Sequence, residues 1–267
     1  VDRALSYIEN EAAFTRRGHG GREREDAKLA IATFEHGTSR AQDPALHTHA
    51  LIVNAGVRQD GTTGTIESRA IYQHKMAAGA LYRAELAYRI ENDPRLGIEA
   101  ERKRSWFELK GVSKELREEF SKRRKEVEEE LEKTGFEGAK AAKVATLNTR
   151  AVKEHVARDE LFTKWQAVGR EYGWSTEELK KLTEREVKPR DIEREKREAF
   201  DASVTKITQH QSHFSRKDLI RHTSEEAQGR GIGADHVFSS IEENLSSSPE
   251  IVHLGRVNGE FRYTTKE

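Results

Sequence analysis

The 267-residue chain contains no cysteine. Disulfide scaffolds, thiolate zinc sites and cysteine nucleophiles are therefore excluded. Aromatic residues are scarce at 7%, and hydrophobic residues reach only 34%. No apolar run approaches the roughly 20 residues that span a bilayer, and no signal peptide opens the chain. The expectation is a protein without membrane insertion, located in the cytoplasm. Motifs of the G-x-S-x-G, phosphate-loop and dinucleotide-binding kinds are also missing. There is no excess of one sign of charge either, because 47 Lys and Arg balance 47 Asp and Glu. A uniformly basic coat for nucleic acid is thus absent, although a zero sum says nothing about local patches. What the chain has in abundance is charge of both signs, 35% against a usual quarter or so. Such a composition fits a surface-heavy protein of two modest domains.

The neutral total hides an uneven distribution. Residues 1–100 carry 13 basic and 14 acidic side chains, residues 101–200 carry 26 and 23, and residues 201–267 carry 8 and 10. The middle third separates its signs locally. Glu126, Glu128, Glu129, Glu130 and Glu132 cluster on one predicted helix, and Lys140, Lys143, Arg150, Lys153 and Arg158 follow. The basic run reads either as a solvated helix face or as a surface for phosphates, whose counterions Lys and Arg can displace.

Along the chain, Ala4, Leu5, Ile8 and Ala12 recur at three- and four-residue spacing and predict a helix over residues 2–17, ended by Gly18, Gly20 and Gly21. Residues 27–34 and 47–54 predict strands, separated by a polar segment, residues 37–46, with an Asp43-Pro44 turn signal. Residues 59–64 read as a turn and residues 65–67 as a short returning strand. A helix of about five turns runs from Ile71 towards Pro94, and residues 101–109 predict one more strand. Ser113 suits the N-cap of a long helix reaching Lys133, and helices over residues 139–148 and 159–172 follow. Residues 176–196 are polar, contain Pro189 and read as a linker between a first domain, residues 1–175, and a second, residues 197–267. The second predicts three helices, the middle one capped by Ser215, and a β-hairpin. That is a winged-helix pattern, shared by DNA-associated proteins and by protein–protein modules.

The strongest chemical signal is His36 followed by His47 and His49. Side chains at i and i+2 of a strand share a face, so His47 and His49 present two imidazoles together. An antiparallel pairing of the two strands brings in His36, and three neutral nitrogens then converge with open positions left on a divalent ion. H-x-H alone is common, and the third histidine is what lifts the pattern. The other eight histidines show no comparable grouping. Among six tyrosines, Tyr7 lies inside the first helix, Tyr82 and Tyr88 read as packing residues, and Tyr263 falls in the far hairpin. From residues alone the reading ends at a three-histidine metal site on a hairpin.

The stretch Phe34-Glu35-His36-Gly37-Thr38-Ser39-Arg40, with Asp43-Pro44-Ala45-Leu46-His47-Thr48-His49, resembles the conjugative relaxases of the HUH endonuclease superfamily, in particular the large relaxase–helicase proteins. Asn54 and the Asp60-Gly61 turn fit the same pattern, as do residues 77–85, Gly111-Val112-Ser113, Phe120-Ser121-Lys122-Arg123-Arg124 and Trp165. The resemblance covers about residues 1–175, and the tail is similar to the small module that leads into the helicase part. It implies an α+β fold: a partial relaxase domain with helices on an antiparallel sheet, a helical segment, then a winged-helix-like module. It further implies nicking of single-stranded DNA at a plasmid transfer origin by a tyrosine, with His36, His47 and His49 holding Mg, Mn or Zn. Arg40, Lys140, Lys143, Arg150 and Lys153 are the implied DNA contacts, and single-stranded DNA and other conjugation proteins the implied partners, in the bacterial cytoplasm. Relaxases carry their nucleophilic tyrosines at the extreme N-terminus, followed by a strand with an acidic residue, and this chain opens at Val1 on what resembles a mid-domain helix. The expectation is a fragment that keeps the metal site, lacks the nucleophile and does not nick alone. The alternatives are a non-catalytic single-stranded-DNA-binding or accessory protein and, further off, an unrelated three-histidine metallohydrolase or cupin-like barrel, which needs more strands than the pattern offers.

Overall fold

Strands cluster before residue 110 and helices after it in a computed structural model that describes residues 1–150, 156–184, 189–257 and 259–266. The helices are α1 (Asp2–Ala12), α2 (Ser68–Asn92), α3 (Lys114–Glu119), α4 (Lys122–Thr134), α5 (Gly138–Asn148), α6 (Arg158–Glu171), α7 (Thr176–Thr183), α8 (Ile192–Thr208), α9 (Arg216–Ala227) and α10 (Ala234–Ser247). The strands are β1 (Phe14–Arg17), β2 (Glu23–Asp26), β3 (Lys28–Thr38), β4 (Pro44–Val57), β5 (Thr63–Gly64), β6 (Ala100–Arg102), β7 (Phe107–Leu109), β8 (Phe214–Ser215), β9 (Ile251–Val257) and β10 (Glu260–Thr265). The expected α+β class with antiparallel sheets is what the chain adopts.

Two compact units form, one from Val1–Ile31, Ile52–Lys110 and Leu182–Glu267, the other from Ala32–Leu51 and Gly111–Lys181. In the first unit, α2 is the centre of the core. Ala77, Ala80, Leu81, Ala84 and Ala87 are buried at three- and four-residue spacing. Alanine has the highest helix propensity, and its short side chain lets neighbouring helices approach closely. Helices α1 and α9 use that space, so Tyr7 and Ile8 join Leu81, Leu219, Ile220, Ile232 and Ile241 in one apolar cluster. The loop after α9 lies as close. A Cβ on Gly233 would stand 2.7 Å from the Tyr88 ring, which leaves room for glycine alone.

The expected order of three helices and a hairpin is present in α8, α9, α10, β9 and β10, with β8 added in the sheet order β8-β10-β9. Ser215 caps α9 as read, accepting from the Asp218 N–H while the Asp218 carboxylate accepts from the Ser215 N–H. These elements share their core with α1 and α2, however, where the sequence suggested a boundary after a 176–196 linker. That linker itself holds α7 and the first turn of α8.

Other differences have local causes. Helix α1 stops at Ala12, and the glycine-rich turn joins β1 to β2 instead of ending the helix; apart from Phe14 both strands are polar, and neither carries apolar alternation. Residues 101–109 form a hairpin, not one strand. The long helix expected after Ser113 is two. Ser113 does cap α3, but Ser121 Oγ donates to the Arg117 carbonyl at 2.6 Å, and α4 starts afresh. Strands β3 and β4 run further than their apolar stretches, so residues 39–43 alone connect them.

Candidate metal centre

His36 sits on β3, and His47 and His49 lie two residues apart on β4, its neighbour in the sheet order β3-β4-β5. The five-residue connection between neighbouring strands forces them antiparallel. With alternation along each strand, one face then collects the three imidazoles. Their ring centroids are 4.6 Å (His36–His49), 5.0 Å (His47–His49) and 5.4 Å (His36–His47) apart. One nitrogen from each lies within 4.8 Å of the others, and all three rings are solvent-accessible. The predicted convergence is therefore present.

The chemistry of the donor set suits a divalent cation. His47 Nδ1 lies 2.7 Å from the Ala45 carbonyl oxygen. A carbonyl only accepts, so Nδ1 carries the proton and Nε2 keeps its lone pair for a ligand. No carboxylate joins the group among the described residues. Three neutral nitrogens leave the full charge of a bound ion to act on a further ligand and leave coordination positions open for it.

The connecting turn is built from Ser39 and Asp43. The Ser39 N–H donates to the Asp43 carbonyl at 2.9 Å, and the Asp43 N–H to Ser39 Oγ at 3.1 Å. Pro44 follows as the first residue of β4, a position that needs no ladder donor. Between them, Gln42 has φ +61°, the one left-handed non-glycine residue among those described. Helix α4 reaches this turn through Lys122, whose N–H donates to Asp43 Oδ2 at 2.9 Å. Asp43 is 2% exposed, and burial pushes its carboxyl above the usual range although the Lys122 N–H and ammonium pull the other way. Helix α6 reaches it through Trp165, whose indole N–H donates to the Gln42 carbonyl at 2.9 Å. In the sequence Asp43-Pro44 marks a turn only, and a separation of 123 positions hides the contact of Trp165 with Gln42.

Of the other expected site residues, Arg40 lies in the turn and is half-buried. Lys140 and Lys143 are exposed on α5, and Arg150 is exposed just beyond it, whereas Lys153 lies outside the described residues. The acidic run of α4 is partly neutralised along its own helix, by Arg123 to Glu126 and Arg124 to Glu128, both at 2.7 Å. Tyr7 is buried, with its hydroxyl 2.8 Å from His74 Nδ1, and Tyr263 is buried against Phe214.

Residues 1–172 match the family model described as TrwC relaxase. The chain belongs to the TrwC relaxase family. As a TrwC-family chain it is 34% identical over 158 residues to the multifunctional conjugation protein TraI of Escherichia coli strain K12. That alignment covers 55% of this chain and 8% of the relative, so the chain spans a small part of the curated protein it matches. Two solved structures are similar at a TM-score of 0.59. The conjugative relaxase TrwC in a metal-free complex with OriT DNA is 31% identical, over 65% of this chain and 63% of that one. Its copper-bound complex with OriT DNA is 32% identical, over 65% and 62%.

Proposed function

We propose that this chain is the histidine-bearing part of a relaxase that nicks single-stranded DNA at a transfer origin. The observation that carries the reading is the convergence of His36, His47 and His49 in a TrwC-family chain. The likeness to TrwC structures solved with OriT DNA, metal-free and copper-bound, supports both the ligand class and the cofactor. In the proposed reaction a tyrosine oxygen bonds to the scissile phosphorus, and the bond from phosphorus to the 3′ oxygen breaks. The products are a 5′-phosphotyrosyl protein and a 3′-hydroxyl, which takes up the proton.

The fit of three neutral imidazoles to a divalent ion assigns His36, His47 and His49 as its holders. When bound, the ion supplies Lewis-acid stabilisation of charge on the phosphate oxygens. His47, its tautomer set by Ala45, presents Nε2, while the exposed Lys140, Lys143 and Arg150 offer charge to the DNA backbone. The attacking tyrosine comes from outside the residues described here. In support, Tyr7 and Tyr263 are packed in a core, and the exposed Tyr72 and Tyr172, like every other tyrosine, lie off β3, β4 and their turn.

Calorimetric titration with Mn²⁺ or Zn²⁺ tests the metal assignment: the double variant His47→Ala/His49→Ala is expected to lose binding, and parent-like affinity would refute it. Incubation with metal and a transfer-origin oligonucleotide is expected to give binding without cleavage. A covalent adduct on this chain would refute the assignment of the nucleophile. A second reading, a non-catalytic single-strand-binding or accessory protein, draws on the exposed basic side chains of α5 and is favoured if salt-dependent binding persists unchanged without metal.

A further inference from the structure

Two arms of a hairpin carry the three histidines, and a one-residue slip of either arm sends its ring to the opposite face of the sheet. The core contacts of these strands, through Leu29 on β3 and Ile52 on β4, belong to the first unit, and beside the histidines the sheet does little to prevent such a slip by packing. Phe34 on β3 and Leu51 and Val53 on β4 are exposed beside the histidines, so side-chain burial there does not hold the strands in register. Control of register passes to the turn, residues 39–43.

That turn, built on the hydrogen bonds between Ser39 and Asp43, holds Gln42 in a disfavoured conformation. A non-glycine residue at φ +61° is disfavoured and persists where its surroundings over-determine it. Two outside contacts do so at Gln42 and Asp43. The Trp165 indole N–H fixes the Gln42 carbonyl from α6, and the first turn of α4 fixes the Asp43 carboxylate through the Lys122 N–H, with Lys122 Nζ 3.6 Å from Oδ1. Asp43 serves in return as the acceptor for an N–H that opens α4, a helix whose own Ser121 makes no side-chain cap. Neither Trp165 nor Asp43 is a ligand. Each reaches the metal site through the turn.

We infer that Trp165 and Asp43 are positioning residues for the metal centre, locking the β3–β4 register so that the three imidazoles converge before any ion arrives. This rests on the metal reading given above. It also implies that α4 and α6 are coupled to the centre, so whatever moves these helices changes metal affinity.

The test uses the full chain titrated with Zn²⁺ alone by calorimetry and with Co²⁺ alone by visible absorption, whose band intensities report coordination. Trp165→Phe keeps an aromatic ring and removes the N–H. It is expected to weaken Zn²⁺ binding roughly tenfold, the low end for residues that orient metal ligands, and to alter the Co²⁺ spectrum. Leu161→Ala removes buried packing from the same helix but no hydrogen bond to the turn, and is expected to lower Tm while leaving affinity within about twofold. Asp43→Asn, which retains an acceptor oxygen, should keep most of the affinity that Asp43→Ala loses. Parent-like affinity and spectrum in Trp165→Phe overturn the inference, as does an equal loss in Leu161→Ala. Binding that survives His47→Ala/His49→Ala overturns the metal reading and this inference together, so the two failures are told apart by which variants retain zinc.

Discussion

Glu91 and Arg190 meet at 3.0 Å, Oε1 to Nη2, in an ion pair between a buried acid and a half-buried guanidinium that ties the last turn of α2 to the residues just before α8. The same carboxylate accepts from the N–H groups of Ala100 and Gly231, both at 3.2 Å, and Arg190 also donates to the Gly229 carbonyl at 2.9 Å. Four stretches of chain are thus joined at one acid that is 5% exposed. Burial raises the Glu91 carboxyl above its ordinary value, with Arg190 pulling against it. Arg190→Ala leaves that buried carboxylate without its countercharge and is expected to cost about 3 kcal/mol in urea unfolding at neutral pH. A carboxyl whose folded pKa lies above its unfolded one binds more protons when folded, so stability falls as pH rises through that window. The deficit of Arg190→Ala should therefore shrink as pH is lowered, and Glu91→Gln/Arg190→Ala should recover part of it. A loss that is the same at every pH would contradict this account.

His74 supplies a dependence of opposite sign. It is buried on α2 with Nδ1 2.8 Å from the Tyr7 hydroxyl, and burial holds its pKa down at about 4 against an ordinary 6.5. The folded chain keeps the ring neutral while the unfolded chain protonates it. The stability it contributes is whole above pH 6.5 and is lost as pH falls towards 4, by up to about 3 kcal/mol. His74→Gln retains an acceptor without a proton to take up, and should flatten the stability curve across that window. If His74→Gln shows the same change in stability between pH 4.5 and 6.5 as the parent, the ring is not held neutral.

The histidine face was legible because strand alternation and three residue positions suffice to define it. The lengths of β3 and β4 were not, because backbone ladder bonds extend both strands past the apolar residues that betray them. Asp43 and Trp165 were hidden for a different reason. Their work is a pair of hydrogen bonds to partners 79 and 123 residues away, and no local pattern encodes such a distance. Likewise the order of α8, α9, α10 and the hairpin could be read from caps and periodicity. That α9 lies on α2 could not, since Ala77, Leu81 and Ala84 announce a helix that can be closely packed without naming what packs on it.

This shared core is open to direct test. Leu81 on α2 and Ile241 on α10 are both fully buried in one cluster. Leu81→Ala and Ile241→Ala are each expected to cost about 3 kcal/mol through lost burial and an unfilled cavity. Because the two residues belong to one packed unit, both should shift the same cooperative transition in thermal unfolding followed by circular dichroism. A parent that melts in two steps, with Leu81→Ala moving one and Ile241→Ala the other, would make residues 192–266 an independent module after all.

The proposed DNA surface makes the last prediction quantitative. Lys140, Lys143 and Arg150 are exposed, and α5, which carries the two lysines, is held at its C-terminal end: Arg123 donates to the Thr149 carbonyl at 2.7 Å and to the Thr146 carbonyl at 2.6 Å. A cation there that meets phosphate releases a counterion, so each lost contact lowers the slope of log affinity against log salt by about 0.7 for a single strand. Lys140→Ala/Lys143→Ala should therefore weaken binding to oligonucleotides of unrelated sequence by similar factors and reduce the slope by up to about 1.4. Fluorescence anisotropy across a salt series reads both quantities. A slope unchanged from the parent would return α5 to the status of a solvated helix face and move the backbone contacts elsewhere, whereas a loss confined to one sequence would mean that these lysines read bases, not phosphates.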